Sequence, residues 1–152
     1  MNLIEIKTTC LKTDKKALYK DIFVDKEPFQ KLLKRSYQKE FSVGRFKEIF
    51  IPCLIGSREV SMNFKDLDLK KFLPTTKTKL ILPVYGCQDG CCVYVYLLIS
   101  KKNGHITWEK AGRNTTYIRD TFNPKEKIEW LSDFSSLQFN ETNYKNALHQ
   151  LK

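Results

Sequence analysis

The stretch that decides the fold is KLILPVYGCQDGCCVYVYLLISKKNGHITWEKAG, residues 79–112. It contains three runs rich in Val, Ile, Leu, Tyr and Trp, the residue types favoured in β-strands. A Gly-containing connection at 87–91 separates the first two runs, and Asn103-Gly104 separates the second from the third. Asn-Gly suits the two-residue hairpin loop, which requires positive φ. The sequence therefore predicts an antiparallel three-stranded meander over 79–112.

Two segments near the start of the chain predict a second hairpin. LIEIKTTC (3–10) alternates between apolar and polar residues, as half-buried strands do. Ile4, Ile6 and Cys10 share one face, whereas Glu5 and Lys7 share the other. LYKDIFV (18–24) is the expected hairpin partner, joined through the polar residues TDKK.

A helix is predicted directly after this hairpin. Asp25 is expected to be its N-cap, Pro28 is tolerated in a first turn, and the helix is expected to reach Ser36. Its apolar residues recur at helical spacing and predict a buried face: Phe29, Leu32 and Leu33.

The secondary structure of the middle of the chain has two interpretations, whereas that of its end has one. EIFIPCLIGSREVSMNF (48–64) fits two strands about Gly56-Ser57, which we favour, or a partly helical segment broken at Pro52. FKDLDLKKFL (64–73) predicts a short helix stopped by Pro74. SSLQFNETNYKNALHQLK (135–152) predicts an extended piece and a helix capped by Asn140. Its sheet-facing residues are expected to be Tyr144, Ala147, Leu148 and Leu151.

Together these patterns predict one α+β domain over residues 1–152. An antiparallel sheet of about five to seven strands, with 79–112 at its centre, carries two or three flanking helices, one of them C-terminal. No repeat or linker divides the chain. We also expect a cytoplasmic protein, because MNLIEIKTTC lacks the features of a secretion signal and five cysteines do not form an even disulfide framework.

Charge is the strongest bulk feature of the sequence. The 27 Lys and Arg residues outnumber the 17 Asp and Glu residues, which gives a formal net charge of +10. Such an excess of positive charge favours acidic partners. It gives information about association and not about the fold. A mixed-sign basic surface can also be no more than a soluble one.

Three cysteines cluster at the predicted tip of the central hairpin. Cys87 and Cys91 flank Gln-Asp-Gly and are expected to lie close together, whereas Cys92 faces the other side of its strand. A structural zinc site needs four ligands, and only His105 and His149 could add histidines. Metal binding and a reversible disulfide stay open alternatives, and we favour simple packing of the thiols around Gly90.

Catalytic patterns are lacking from the sequence. It contains no G-x-S-x-G, Walker, H-E-x-x-H or G-x-G-x-x-G motif. A catalytic cysteine would need a nearby base. Only His105, on the next strand, could approach the cysteine cluster. We predict no enzyme, no cofactor and no metal site, and interpret Asp66 and Asp68 as solvated residues.

The basic residues are the best candidates for partner binding. Lys31, Lys34 and Arg35 share the predicted first helix, and Arg113 and Arg119 flank Tyr117 in GRNTTYIRDTF. Arg and Tyr are enriched among residues that dominate binding energy at protein interfaces. The same pairing can stack bases and bind phosphates, but no nucleic-acid-binding motif accompanies it.

Parts of the sequence resemble a family of small uncharacterised bacterial proteins. The similar segments are DIFVDKEPFQKLL, LPVYGCQDGCCVYVYLLI with HITWEKAG, and LQFNETNYKNAL. The family pattern has an extended VDG segment, a Cys-Gly-rich hairpin, a strand with a Trp and a final helix. Lys26 and Cys92 stand here where glycines are usual. The resemblance implies an α+β fold and brings no activity or cofactor.

These observations lead to the hypothesis of a binding protein that catalyses no reaction. Small bacterial proteins with no catalytic motifs are often inhibitors, so we expect an immunity protein that binds and neutralises a toxin domain. Its positive charge would steer it to an acidic toxin face. The alternatives are a nucleic-acid-binding accessory protein and a metal or redox module that uses Cys87 and Cys91.

Overall fold

A computed structural model describes residues 1–10, 18–37, 51–52, 69–86, 94–114, 124 and 127–151. It contains nine strands, two α-helices and one 3₁₀ helix in this part of the chain. In chain order these are β1 Ile4–Cys10, β2 Leu18–Val24, β3 Glu27–Pro28, α1 Phe29–Ser36, β4 Ile51–Pro52, a 3₁₀ helix Leu69–Phe72, β5 Leu80–Gly86, β6 Tyr94–Lys102, β7 His105–Asn114, β8 Ile128–Trp130, β9 Leu137–Asn140 and α2 Glu141–His149.

The strands form two antiparallel sheets. The first has the order β1-β2-β3, and the second has the order β4-β5-β6-β7-β8, with β9 also paired to β7. Strand β9 pairs with the first part of β7, from His105 to Trp108, and β8 pairs with its end, from Gly112 to Asn114. The α+β fold class and the central meander are therefore confirmed.

Local sequence signals explain one chain reversal, between β6 and β7, and the start of helix α2. Asn103 and Gly104 both have positive φ, as the Asn-Gly pair predicted for the β6–β7 loop. Asn140 caps α2, because its side-chain oxygen accepts hydrogen bonds from the backbone N–H groups of Thr142 and Asn143. The 3₁₀ helix ends at Phe72, ahead of Pro74, and residues 64–68 of that predicted helix lie outside the described part.

The predicted N-cap of the first helix is wrong. Asp25 and Lys26, with φ of 50° and 71°, instead form the two-residue turn between β2 and β3. The Asp25 carboxylate accepts hydrogen bonds from the Leu3 backbone and the Asn2 side chain, and these bonds lower its pKa. Helix α1 begins only at Phe29, after Pro28, without a side-chain cap. A strand pairing that reaches Pro28 leaves no room for an earlier helix start.

Both helices pack on one aromatic core centred on Trp108 of β7. The Trp108 ring lies 5.0 Å from that of Phe29 on α1 and 4.7 Å from that of Phe139 on β9. Its indole N–H donates a 2.9 Å hydrogen bond to the hydroxyl of Tyr144 on α2. Burial raises the pKa of the Tyr144 phenol well above its usual range, so this hydroxyl stays neutral. The predicted buried residues of α2 and its following turn are confirmed: Tyr144, Ala147, Leu148 and Leu151.

The two sheets meet beside the N-terminus. Asn2 forms an isolated parallel bridge with Phe139, and its backbone N–H donates to the carbonyl oxygen of Gln138 at 2.8 Å. The Gln138 backbone N–H returns a 3.0 Å hydrogen bond to the Asn2 side chain. Further along β1, Ile4 and Ile6 are buried as predicted, whereas Cys10 is exposed, because the end of the strand extends beyond the core.

Candidate functional site

Helix α1 carries the predicted basic cluster on the side opposite its buried residues. Phe29 and Leu33 are both 0% exposed and fix the helix to the core. Lys31 and Arg35 are exposed and Lys34 is half-buried, at the spacing that places side chains on one helix face. We call Lys31, Lys34 and Arg35 the α1 basic face. The structure therefore brings these three predicted site residues together.

Arg35 of this face pairs with an acidic residue. The Arg35 guanidinium lies 2.6 Å from the Glu27 carboxylate, and both side chains are partly accessible to solvent. A surface ion pair of this kind contributes only about 0–1 kcal/mol to stability. The pair connects α1 to Glu27 of β3 and adds little to the stability of the fold.

Of the other predicted site residues, the structure describes Arg113. Arg113 lies half-buried near the end of β7, opposite Val95 of β6 and Glu129 of β8. Tyr117 and Arg119 lie outside the described residues, as do Cys87, Cys91, Cys92, Asp66 and Asp68. The packing, disulfide and metal interpretations of the cysteine cluster therefore stay predictions.

Other basic side chains pair with acids elsewhere on the surface. Lys79 contacts Glu109 at 2.8 Å across the second sheet. Glu141 accepts 2.7 Å contacts from both Lys101 and Lys145 at the start of α2, and its pKa is lowered, first by the hydrogen bond from Lys101. Much of the positive charge on these elements is thus locally compensated.

A buried carboxyl group is the main polar feature that the sequence patterns missed. Asp21 of β2 is 1% exposed, and three groups donate 2.7 Å hydrogen bonds to it. The Ile22 backbone N–H and the Tyr85 hydroxyl donate to Oδ1, while the Gln30 side chain donates to Oδ2. Burial raises the pKa of the Asp21 carboxyl, and the three hydrogen bonds act in the opposite direction.

The position of Asp21 gives it a structural role. Gln30 lies on α1 and Tyr85 lies on β5, so the carboxyl group ties both to β2. Burying a carboxyl group is expensive unless its oxygens are hydrogen-bonded, and here both oxygens are. The signal that could have revealed this site is an Asp inside an otherwise strand-like run, since Asp is depleted in strands.

The described residues offer no metal site. No group of three or more His, Cys, Asp or Glu side chains comes together among them. His105 is half-buried on β7, and His149 is exposed at the end of α2. No helix in the described ranges is long and apolar enough to cross a membrane.

Comparison with known proteins adds nothing to this geometry. No family model matches the chain, and no curated protein or solved structure matches it at a significant level. The resemblance to small bacterial proteins therefore stays a prediction from the quoted segments.

Proposed function

We propose that this chain is a non-enzymatic binding protein, a cytoplasmic bacterial immunity protein that neutralises a toxin domain by binding to it. The observation that supports the proposal is the α1 basic face. Its helix is fixed by two completely buried side chains, so the three cations are presented on a rigid element. A binding surface that is ordered before contact loses less conformational entropy on association.

The charge of this face favours an acidic partner. Together with the overall charge of +10, it attracts an acidic protein surface and accelerates encounter with it. The proposed partner is accordingly a toxin domain with an acidic face. Arg113, Tyr117 and Arg119 are the further residues proposed to contact this partner.

Charge reversal of the α1 basic face tests the proposal. The proposal predicts that a neighbouring gene encodes a toxin domain. The variant K31E/K34E/R35E should lose protection when that domain is co-expressed, and its association rate with the domain should fall by about tenfold or more. A matched control, K77E/K102E/K110E, changes the net charge equally at exposed positions elsewhere. It should retain protection.

Two outcomes would count against the proposal. Equal loss of protection in both variants would show that total charge matters and not this face. Binding of unrelated nucleic acids with a steep salt dependence, and without toxin neutralisation, would favour the nucleic-acid-binding alternative.

A further inference from the structure

Helix α1 depends on its neighbours for its position. It has eight residues and begins after Pro28 without a side-chain cap, and an isolated helix of this length is marginal in water. Phe29 and Leu33 attach it to the core, where both are 0% exposed. Apolar burial is favourable but non-directional. These two contacts therefore hold α1 against the core and define its rotation about its own axis only weakly.

Gln30 supplies a directional contact between α1 and the first sheet. Its side-chain N–H donates a 2.7 Å hydrogen bond to Asp21 Oδ2 on β2, and such a bond requires a narrow range of distance and angle. Gln30 is half-buried and precedes Lys34 by four positions, so the two residues lie on the same side of the helix. The bond is made where the buried side of α1 borders the α1 basic face.

The acceptor of this bond is itself fixed. Asp21 Oδ1 accepts 2.7 Å hydrogen bonds from the Ile22 backbone N–H and from the Tyr85 hydroxyl. The residue is 1% exposed, so the carboxyl group cannot turn to water. A buried polar network whose members are all hydrogen-bonded specifies one arrangement of the elements that it joins. The network therefore presents Oδ2 to α1 in one position.

The rotation of α1 decides where its charges point. A helix with its side chains has a radius of about 5–6 Å, so a rotation of about 20° moves the outer end of a side chain by about 2 Å. A shift of this size is enough to break a hydrogen bond or a close ion pair with a partner. The directions of Lys31, Lys34 and Arg35 thus depend on what fixes the rotation.

We infer that Gln30 is a positioning residue for the α1 basic face. Its bond to Asp21 fixes the rotation of α1 and so sets the directions in which Lys31, Lys34 and Arg35 are presented. The consequence for binding rests on the proposed function. The bond itself belongs to the fold and can be tested without a partner.

Charge substitution at Gln30 tests the bond in the full chain. Gln30→Glu places a carboxylate against the Asp21 carboxyl group, so α1 should be displaced and its amide hydrogens should exchange about tenfold faster or more. Amide exchange measured by nuclear magnetic resonance resolves α1 from β6 and β7, whose rates should not change. Gln138→Glu is the matched control, because it adds the same charge at an exposed position on β9 and should leave α1 unchanged.

A second substitution should restore the contact. In D21N/Q30E the new amide keeps an oxygen for Ile22 and Tyr85 and offers an N–H donor to the new carboxylate. Exchange of the α1 amides should return to within about twofold of the wild-type rates. Wild-type exchange rates in Gln30→Glu would overturn the inference, as would a double variant that exchanges as fast as the single one.

The toxin domain predicted to be encoded by a neighbouring gene tests the consequence for binding. Its complex with Gln30→Glu should dissociate about fivefold faster or more than its complex with the wild type, and D21N/Q30E should restore the slow rate. If the wild type neutralises this domain and Gln30→Glu dissociates at the wild-type rate, the inference is wrong and the proposed function stands. If the wild type does not neutralise it, the proposed function is wrong, and amide exchange alone decides whether Gln30 positions α1.

Discussion

Tyr85 and Asp21 join the two sheets through a hydrogen bond between side chains 64 positions apart in the chain: the Tyr85 hydroxyl donates to Asp21 Oδ1 at 2.7 Å. Both residues are almost completely buried. A hydrogen bond to a buried acidic group is worth more than an exposed one, because neither partner can turn to water. The junction between the sheets therefore depends on a titratable group.

Asp21 should make stability depend on pH with an unusual sign. Because burial raises its folded-state pKa above 3.8, its stabilising contribution is complete below that value and is lost as pH rises through the folded-state pKa. We expect the free energy of unfolding of the wild type, minus that of Asp21→Asn, to fall with rising pH in this window. Urea unfolding at a series of pH values measures it.

Tyr85→Phe serves as the comparison variant for this experiment. It removes a hydrogen bond that lowers the Asp21 pKa, so the pH window should extend upward, with a stability loss of about 1–3 kcal/mol. The carboxyl groups with lowered pKa, such as Asp25 and Glu141, are common to all three proteins and cancel in the differences. A difference that is independent of pH would contradict the assignment.

Lys26→Gly should stabilise the protein. Lys26 has a φ of 71°, a region that costs a residue with a Cβ atom about 1 kcal/mol and glycine almost nothing. We expect the free energy of unfolding to rise by about 0.5–1 kcal/mol, measured by urea or thermal unfolding. Lys26→Ala is the matched control, because it removes the charge and keeps the strain; equal stabilisation by both substitutions would refute this explanation.

Gly112→Ala and Gly86→Ala form a second matched pair. A Cβ atom at Gly112 would lie 2.5 Å from the Glu129 carbonyl oxygen, so β8 would have to move, whereas the nearest atom to a Cβ at Gly86 is a Tyr94 ring carbon at 3.5 Å. We expect Gly112→Ala to cost about 3 kcal/mol and Gly86→Ala to change stability by less than about 1 kcal/mol in thermal unfolding. Similar losses at both positions would show that the β7–β8 contact is less tight than the distances indicate.

Local patterns predicted those parts of the fold that depend on neighbouring residues. The Asn103-Gly104 loop, the Asn140 cap and the apolar face of α2 each follow from a turn preference, a capping preference or helical spacing. The start of α1 did not follow, because Asp25 suits an N-cap and a positive-φ turn equally well. The choice depended on β3 pairing with β2, which a local pattern does not contain.

The candidate site, like the fold, was predictable only in the part that depends on local spacing. Helical spacing alone was enough to group Lys31, Lys34 and Arg35. The link from Arg35 to Glu27, and the burial of Asp21 under Gln30 and Tyr85, depend on where α1 and β5 pack against β2. Such long-range contacts have no signature in the spacing of residues along the chain.

The bridge between Asn2 and Phe139 also sets an order in time. During synthesis Asn2 leaves the ribosome long before Phe139, its strand partner, so the β1–β2 hairpin can form first. Closing so long a loop is slow, and a vacant strand edge is exposed throughout that interval. Strand β9 is synthesised long after β1 and completes its environment.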